Sequence, residues 1–162
     1  MCRAWQEPCS PPSMTTPQTI LVPTDFSEAS KAALAYAVDL AEAVGAAVHV
    51  VHAFELPFVG FPDGNVTVSA EMANRIIGAA AEGLREVSRV YEGRKVRVTT
   101  ILEQADPREA VLTAAEKVGA DLIVMATHGR RGIARILIGS TTEAVVRTSS
   151  VPVLTVHGAK QG

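Results

Sequence analysis

The sequence predicts an α/β fold: a single domain with three layers (α/β/α) built on a five-stranded parallel sheet. First, short apolar runs alternate along the chain with longer segments whose apolar residues recur at helical spacing. Second, 48% of the 162 residues are hydrophobic but only 4% are aromatic, which is typical of a parallel sheet covered by Ala-rich helices. Third, the helix–glycine–strand segment 41–48 is echoed at 115–122, which indicates that one supersecondary unit is used twice. Alternating strands and helices join by right-handed crossovers, which make the sheet parallel.

The first half of the domain contains two predicted strands and two predicted helices. Residues 20–22 form a short, fully apolar strand, and Ser27 is placed to cap the helix that follows. Gly45 ends that helix, where a left-handed residue is favoured, and a second apolar strand comes next. Residues 55–69 are rich in Pro and Gly and predict a long loop. Apolar residues at helical spacing over 73–91 then predict one face of a long helix.

The second half contains three predicted strands and two predicted helices. Apolar and polar residues alternate over 96–100, as in a half-exposed strand at a sheet edge. Asp106, followed by a proline and an acidic residue, predicts a helix start. Residues 122–125 predict a fully buried fourth strand, and a glycine-rich loop follows it. The capping box that begins at Ser140 predicts a last helix, and 151–156 supply a fifth strand.

The bulk properties restrict the kinds of partner. The formal net charge of −2 gives no general attraction to nucleic acid or to an anionic membrane, so neither is expected as a partner. No apolar run approaches the roughly 20 residues that cross a bilayer. Both cysteines, Cys2 and Cys9, fall within residues 1–17, which we expect to be a disordered leader before a domain at 18–158 and a tail at 159–162. A cysteine-free domain suits a reducing cytoplasm, where we expect the protein to act.

Ligands of open α/β sheets bind beyond the carboxyl ends of the strands, where the winding direction reverses. The residues that follow strands 1, 2 and 4 are therefore the candidates for a binding site. They are Thr24 and Asp25 after strand 1, His52 and Ala53 after strand 2, and residues 126–139 after strand 4.

The stretch after strand 4 carries the strongest functional signal. Gly129 and Gly132 let backbone N–H groups approach a ligand with no Cβ in the way, and Arg130 and Arg131 supply charge for phosphate oxygens. Residues 139–142 then open a helix, where free N–H groups favour an anion. The alternative is a plain loop before a helix that is capped by its own side chains. The stretch is not a P-loop, because it lacks the glycine spacing and the Lys of that motif.

The polar residues at these strand ends admit more than one interpretation. The Asp25 carboxylate can accept hydrogen bonds from a ribose or help to hold a divalent cation; alternatively, it caps the first helical turn together with Ser27. His128 lies beside the glycine-rich loop and either contacts phosphate or bonds to the backbone. His49 and His52 are an odd number of positions apart on one strand, so they point to opposite faces and cannot share a metal ion.

Three segments together resemble the universal stress protein family. They are Val-Pro-Thr-Asp-Phe-Ser at 22–27, Val-His-Ala at 51–53, and the stretch from Thr-His-Gly-Arg to Gly-Ser-Thr-Thr-Glu at 127–143. The resemblance runs from about Ile20 to Val156, nearly the whole chain after the leader.

The most specific element of the resemblance is the family's nucleotide motif, G-x2-G-x9-G-[S/T]. Gly129, nine further residues, Gly139 and Ser140 match it, whereas Ala126 stands where the motif has its first glycine. Members that do not bind ATP tend to lack this motif, so its near-complete presence favours binding.

The resemblance implies an adenine nucleotide alpha-hydrolase-like fold with strand order 3-2-1-4-5. It also implies that ATP, or AMP or ADP, binds with the adenine at the backbone of Ala53 and the ribose near Asp25. An Mg²⁺ or Mn²⁺ ion would come with the phosphates near Asp25, and the protein alone would make no metal site. Residues 126–132 and 140–142 would hold the phosphates. The nucleotide-binding residues so implied are Pro23, Thr24, Asp25, Ala53, Ala126, Thr127, His128, Gly129, Arg130, Arg131, Gly132, Gly139, Ser140, Thr141 and Thr142.

The expected function is nucleotide-dependent regulation in a stress response without efficient turnover, because no residue can be named that would position an attacking water. A slow ATPase is one alternative. The other is a dimeric interaction module that ignores nucleotide. Strand 5, Val151 to Val156, is apolar, and at a sheet edge it invites pairing with a second copy, as is common in universal stress proteins. The 55–69 loop lies on the ligand side of the sheet and is a candidate lid.

Overall fold

Five strands and four helices alternate along the chain in the computed structural model, which describes residues 16–57, 69–127 and 139–157. In chain order they are β1 (Thr19–Pro23), α1 (Glu28–Val44), β2 (Ala47–Phe54), α2 (Ala70–Val90), β3 (Val98–Gln104), α3 (Pro107–Val118), β4 (Leu122–Ala126), α4 (Ser140–Thr148) and β5 (Val153–Val156). The third strand is therefore shifted from the predicted 96–100 toward the chain's C-terminus. The predicted 55–69 loop lies mostly outside the described residues.

All four strand pairings are parallel and the sheet order is β3-β2-β1-β4-β5, which confirms the predicted fold class and strand order. β1 lies at the centre, and Ile20, Leu21 and Val22 are each 0% exposed. The predicted half-exposed edge is also confirmed, since every residue of β3 is only partly buried or exposed. Among the residues that the structure describes, no helix is both long and apolar enough to cross a membrane.

A hydrophobic core lies on each face of the sheet. On one face, α1 and α2 pack against the side chains of Ile20, Val22 and Val48. On the other face, α3 and α4 pack against Leu21 and Ile123. Helices cover both faces of the sheet, so a ligand can approach it at the ends of the strands.

Local capping signals position most helix ends as predicted. The Ser27 hydroxyl accepts a hydrogen bond from the Ser30 N–H at 3.2 Å, and an Asp106 carboxylate oxygen accepts one from the Arg108 N–H at 2.9 Å. Gly45 ends α1 in the left-handed conformation, with φ 79° and ψ 26°. These residues satisfy backbone groups that have no partner within the helix.

The capping box predicted at Ser140 is wrong. The N-cap of α4 is Gly139, and Ser140 is already the first helical residue. Gly139 is held in the cap position by its N–H, which donates to the Thr127 carbonyl at 2.8 Å. Because glycine has no side chain, the cap residue makes no side-chain bond to the first-turn N–H groups of α4.

Candidate functional site

The register of the sheet brings the predicted site residues of three strands to one level. Pro23 pairs with Val51 across β1 and β2, and Leu21 pairs with Ile123 across β1 and β4. Extending both registers beyond the last paired residues sets Asp25 level with Ala53 on one side and Thr127 on the other. These three residues come from separate parts of the sequence and meet at the carboxyl edge where the winding reverses.

The β1 turn (residues 23–27) is tied to its neighbours through Thr24, which is 7% exposed. The Thr24 N–H donates to the Val51 carbonyl at 2.9 Å. Its hydroxyl oxygen accepts from the Phe26 N–H at 3.1 Å and lies 3.1 Å from the Ser30 hydroxyl. The backbone of the turn is therefore fastened to both β2 and α1 before any ligand arrives.

Asp25 shapes the β1 turn through its bonds to Ser27, the N-cap residue of α1. One carboxylate oxygen accepts from the Ser27 N–H at 3.0 Å and from the Ser27 hydroxyl at 2.6 Å. The Ser27 hydroxyl oxygen in turn caps α1. Asp25 is partly buried, and these bonds hold its carboxylate near the carboxyl end of β1, on the edge that β1 shares with β4.

The end of β2 contributes Ala53 and His52. Ala53 is partly buried and pairs with Glu103 of β3, so its backbone lies at the same carboxyl edge. The Nδ1 atom of His52 lies 2.8 Å from the Thr24 carbonyl oxygen. A carbonyl only accepts, so Nδ1 carries the hydrogen in this bond. His52 thereby links the end of β2 to the β1 turn.

Phe26 of the β1 turn packs against Gly83 of α2, and sequence reasoning did not identify either residue as part of the site. Phe26 adopts a left-handed backbone with φ 63°, which costs a residue other than glycine about 1–3 kcal/mol. Its ring lies 4.3 Å, centroid to centroid, from the His52 ring, and it packs against Gly83 of α2. The sequence offers one signal for this contact, which is a glycine in the interior of a long helix. Glycine there costs about 1 kcal/mol relative to alanine, so it usually indicates that another group packs closely against the helix.

The end of β4 provides a second anchored segment. Ala126 and Thr127 are 9% and 2% exposed. The Thr127 N–H donates to the Val156 carbonyl at 3.0 Å, and the Thr127 carbonyl accepts from Gly139. Thr127 thus connects β4 to β5 and to the start of α4.

The first turn of α4 is directed at this edge by Thr142, which is 4% exposed. The Thr142 hydroxyl donates a hydrogen bond to the Ala126 carbonyl at 2.8 Å, and this bond links the first turn of α4 to β4. Ser140 is exposed and Thr141 partly buried. The backbone N–H groups of residues 140–142 begin the helix and have no partner within it, and the helix dipole adds positive potential there.

Five of the predicted site residues lie outside the described residues. They are His128, Gly129, Arg130, Arg131 and Gly132. Within residues 16–57, 69–127 and 139–157, no group of three or more His, Cys, Asp or Glu side chains could hold a metal ion.

His49 lies apart from this edge, on the face of β2 opposite to His52, as the odd spacing predicted. Its partner in β3 is Thr99, near the amino ends of the strands. The Nδ1 atom of His49 is buried and has no hydrogen-bond partner among the described residues. Burial first, and the positive charge of Arg97 second, lower the pKa of His49 below its ordinary value.

The arrangement can bind an anion beside a carboxylate. The N–H groups that start α4 lie above the end of β4, and the Asp25 carboxylate lies at the end of the adjacent β1. Backbone N–H groups at a helix start can bind phosphate oxygens, and a carboxylate can bind hydroxyl donors or a cation.

Comparison with known proteins places the chain in a family. Residues 17–157 match the model of the universal stress protein family. Universal stress protein MJ0531 of Methanocaldococcus jannaschii is 34% identical over 144 residues, which cover 88% of this chain and 83% of the relative. A universal stress protein of Thermus aquaticus is 36% identical over 142 residues, covering 86% of this chain and 98% of the relative.

Solved structures agree with the sequence relatives. The structure of MJ0577 from Methanocaldococcus jannaschii superposes with a TM-score of 0.74 at 26% identity, covering 88% of this chain and 97% of that one. A universal stress protein solved in complex with cAMP superposes with a TM-score of 0.66 at 26% identity, covering 90% of this chain and 100% of that one. The α/β sheet with order 3-2-1-4-5, the polar carboxyl edge and the family match together lead to one conclusion: this chain belongs to the universal stress protein family.

Proposed function

We propose that this chain binds an adenine nucleotide at the carboxyl ends of β1, β2 and β4 and acts in the cytoplasm as a nucleotide-dependent regulator of a stress response. The observation that carries the proposal is the start of α4. It has a glycine cap with no side chain, it is fastened to Thr127, and it lies beside the β1 turn that holds Asp25. Uncapped helix N–H groups next to a carboxylate match a phosphate next to a ribose or a cation.

We assign the residue roles from the anchoring bonds and from the family resemblance. The backbone N–H groups of Ser140, Thr141 and Thr142 are the phosphate donors, because the Thr142 hydroxyl proton is already given to the Ala126 carbonyl. Asp25 contacts the ribose or an Mg²⁺ or Mn²⁺ ion that arrives with the phosphates. Ala53, level with Asp25 on β2, presents its backbone to the base. The cAMP complex of a family member supports an adenine nucleotide as the ligand class.

The first test is direct. Freshly purified protein is denatured and any released nucleotide is identified by chromatography, and ATP, ADP, AMP and cAMP are then titrated into nucleotide-free protein by calorimetry. We expect at least one of the four to bind and to compete with the others. The absence of heat with all four, at millimolar ligand, would remove the proposed function.

Gly139→Val tests the place of binding. Among the described residues, a Cβ at Gly139 meets only the Thr127 carbonyl oxygen, at 3.4 Å, which is ordinary contact. We therefore expect the variant to fold while its side chain crowds the start of α4. We expect at least a roughly tenfold loss of affinity, since about 1.4 kcal/mol is tenfold in a dissociation constant. Gly78→Val, at a glycine with open space around it, is the matched control and retains the wild-type affinity.

Binding without efficient turnover distinguishes the proposal from an ATPase. From the sequence, no residue can be named that would position the attacking water that hydrolysis needs. Steady-state phosphate release should stay well below about 1 s⁻¹, the low end for an ordinary enzyme. A faster rate that is lost in Gly139→Val would establish the ATPase alternative.

We also propose that two copies pair through the segment Val151 to Val156. β5 forms an edge of the described sheet, and its residues Val153–Val156 are all partly buried in the single chain. The carbonyls of Pro152 and Val156 accept hydrogen bonds from the N–H groups of Ile123 and Thr127. The backbone N–H and C=O groups of the even-numbered residues in 152–156 therefore point toward β4. The N–H groups of Val153 and Thr155 therefore face the free edge, where a second copy can accept them.

Thr155→Pro tests this pairing, because it removes an outward N–H without removing a bond to β4. Light scattering at micromolar concentration should show a dimer for the wild type and a monomer for this variant. A wild type that is monomeric under these conditions contradicts the pairing.

A further inference from the structure

The β1 turn has a strained residue at its centre. Among the described residues, Phe26 is the only one other than glycine with positive φ, at 63°. A bulky aromatic residue rarely adopts this conformation, and it persists only where the surrounding structure holds it. The bonds of Thr24 and Asp25 hold the backbone of the turn, but they do not set the direction of the ring.

The ring direction is set by a slot between β2 and α2. One wall is the His52 ring, 4.3 Å away and tilted by 35°. The other wall is the backbone of α2 at Gly83. A Cβ at Gly83 would lie 2.6 Å from the tip of the Phe26 ring and 2.8 Å from both of its neighbouring carbons. Only a glycine at this position leaves room for the ring.

The same slot is connected to the ligand-facing backbone. His52, which forms the wall, also donates from Nδ1 to the Thr24 carbonyl at 2.8 Å. The Phe26 N–H bonds to the Thr24 hydroxyl at 3.1 Å. Asp25 lies between these two anchored residues. The position of the Asp25 carboxylate therefore depends on both neighbours of Asp25 in the chain. His52 holds Thr24 on one side, and the packing of its ring holds Phe26 on the other.

We propose that Phe26 and His52 are positioning residues of the ligand site, and that the glycine slot of α2 is what allows Phe26 to place the Asp25 carboxylate. This inference rests on the proposed nucleotide function. It extends that function by naming three residues that raise ligand affinity without needing to touch the ligand: Phe26, His52 and Gly83.

Gly83→Ala is the first test, with Gly78→Ala as its matched control on the same helix. Alanine improves helix propensity at both positions, but only at 83 does the new methyl group displace the Phe26 ring. Affinity for the nucleotide that binds the wild type is measured by calorimetry well below the melting temperature, so that every variant is folded. We expect Gly83→Ala to bind at least roughly tenfold more weakly, a change of about 1.4 kcal/mol, because the displaced ring no longer helps to place the Asp25 carboxylate. Gly78→Ala binds like the wild type.

Amide hydrogen exchange in the ligand-free protein gives a second readout that does not depend on nucleotide. In Gly83→Ala the amides of Phe26 and Ser27 should exchange at least about tenfold faster, because the turn opens locally, while core amides of β1 are unchanged. Gly78→Ala should match the wild type at all of these amides. If the wild type binds no nucleotide, the proposed function fails, and this exchange measurement alone decides whether the slot sets the turn.

His52 provides an independent variant should Gly83→Ala fold poorly. His52→Leu removes the donor to the Thr24 carbonyl, whereas the side-chain amide of His52→Asn can place an N–H where Nδ1 was. We expect the Leu variant to lose about tenfold in affinity and the Asn variant to recover most of that loss, a change worth about 1.4 kcal/mol by the usual conversion. Either of two results would overturn the proposal. One is unchanged amide exchange at Phe26 and Ser27 in Gly83→Ala. The other is wild-type nucleotide affinity in both Gly83→Ala and His52→Leu.

Discussion

His49 has a buried ring nitrogen without a partner in the described structure, and this has a consequence for stability in mild acid. Burial, together with Arg97, holds the pKa of His49 below its ordinary value of about 6.5. The unfolded chain therefore takes up a proton at a pH where folded His49 remains neutral. The free energy of unfolding falls as the pH drops from about 6.5 through the lowered folded pKa, and above about 6.5 the effect is absent.

We predict that His49→Leu flattens this part of the stability profile. Urea unfolding at a series of pH values between 7 and 5 measures the free energy of unfolding. The wild type should lose stability relative to His49→Leu as the pH falls, and a variant of the exposed His157, His157→Gln, should follow the wild type. Parallel curves for the wild type and His49→Leu would contradict the prediction.

Gly45 and Gly78 both have open space around them among the described residues, but their backbone conformations differ. Their alanine variants should therefore change stability in opposite directions. Gly45 has φ 79° at the end of α1, and Gly78 lies within α2. Alanine at Gly45 is forced into the left-handed region and should cost about 1–2 kcal/mol. Alanine at Gly78 should add roughly 0.5–1 kcal/mol. Thermal unfolding of both variants measures these effects, and a shift of the same sign in both would contradict the argument.

At the scale of one element, a buried threonine helps to hold the first turn of α4 to β4, whereas Ser140 does not act as its cap. Thr142 donates to the Ala126 carbonyl at 2.8 Å, while Ser140 is an exposed first-turn residue. Thr142→Val leaves that carbonyl without its donor and should cost about 1–3 kcal/mol. Ser140→Ala should stay within about 0.5 kcal/mol of the wild type, as is usual for an exposed position. Denaturant unfolding compares the two, and a larger loss in Ser140→Ala would restore the serine cap.

The elements could be predicted from sequence where the deciding contacts are local. Ser27, Gly45 and Asp106 act on groups within a few residues, and each was placed as the structure has it. The cap of α4 was misassigned because it depends on the bond between Gly139 and Thr127, which are far apart in the sequence. The same limit applies to the site. The strand ends followed from the rule for parallel sheets, whereas the Phe26–Gly83 contact joins distant segments and leaves only a mid-helix glycine as its signal.

At the scale of the whole molecule, the proposed pairing through β5 makes stability depend on protein concentration. If the folded chain dimerises and the unfolded chain does not, mass action stabilises the folded state as concentration rises. We predict that the melting temperature of the wild type increases between about 1 and 100 μM protein, whereas that of Thr155→Pro does not. Differential scanning calorimetry at several concentrations tests this. A wild-type melting temperature that is independent of concentration would indicate a monomer.

The central position of β1 also bears on how the protein is made. Its neighbours are β2, which follows soon after it, and β4, which is translated only after most of the domain. While the ribosome is still synthesising the middle of the chain, one edge of β1 has no partner, and its three central residues are wholly apolar. Such an edge attracts other nascent chains. This stage of synthesis is therefore where a chaperone would be needed most.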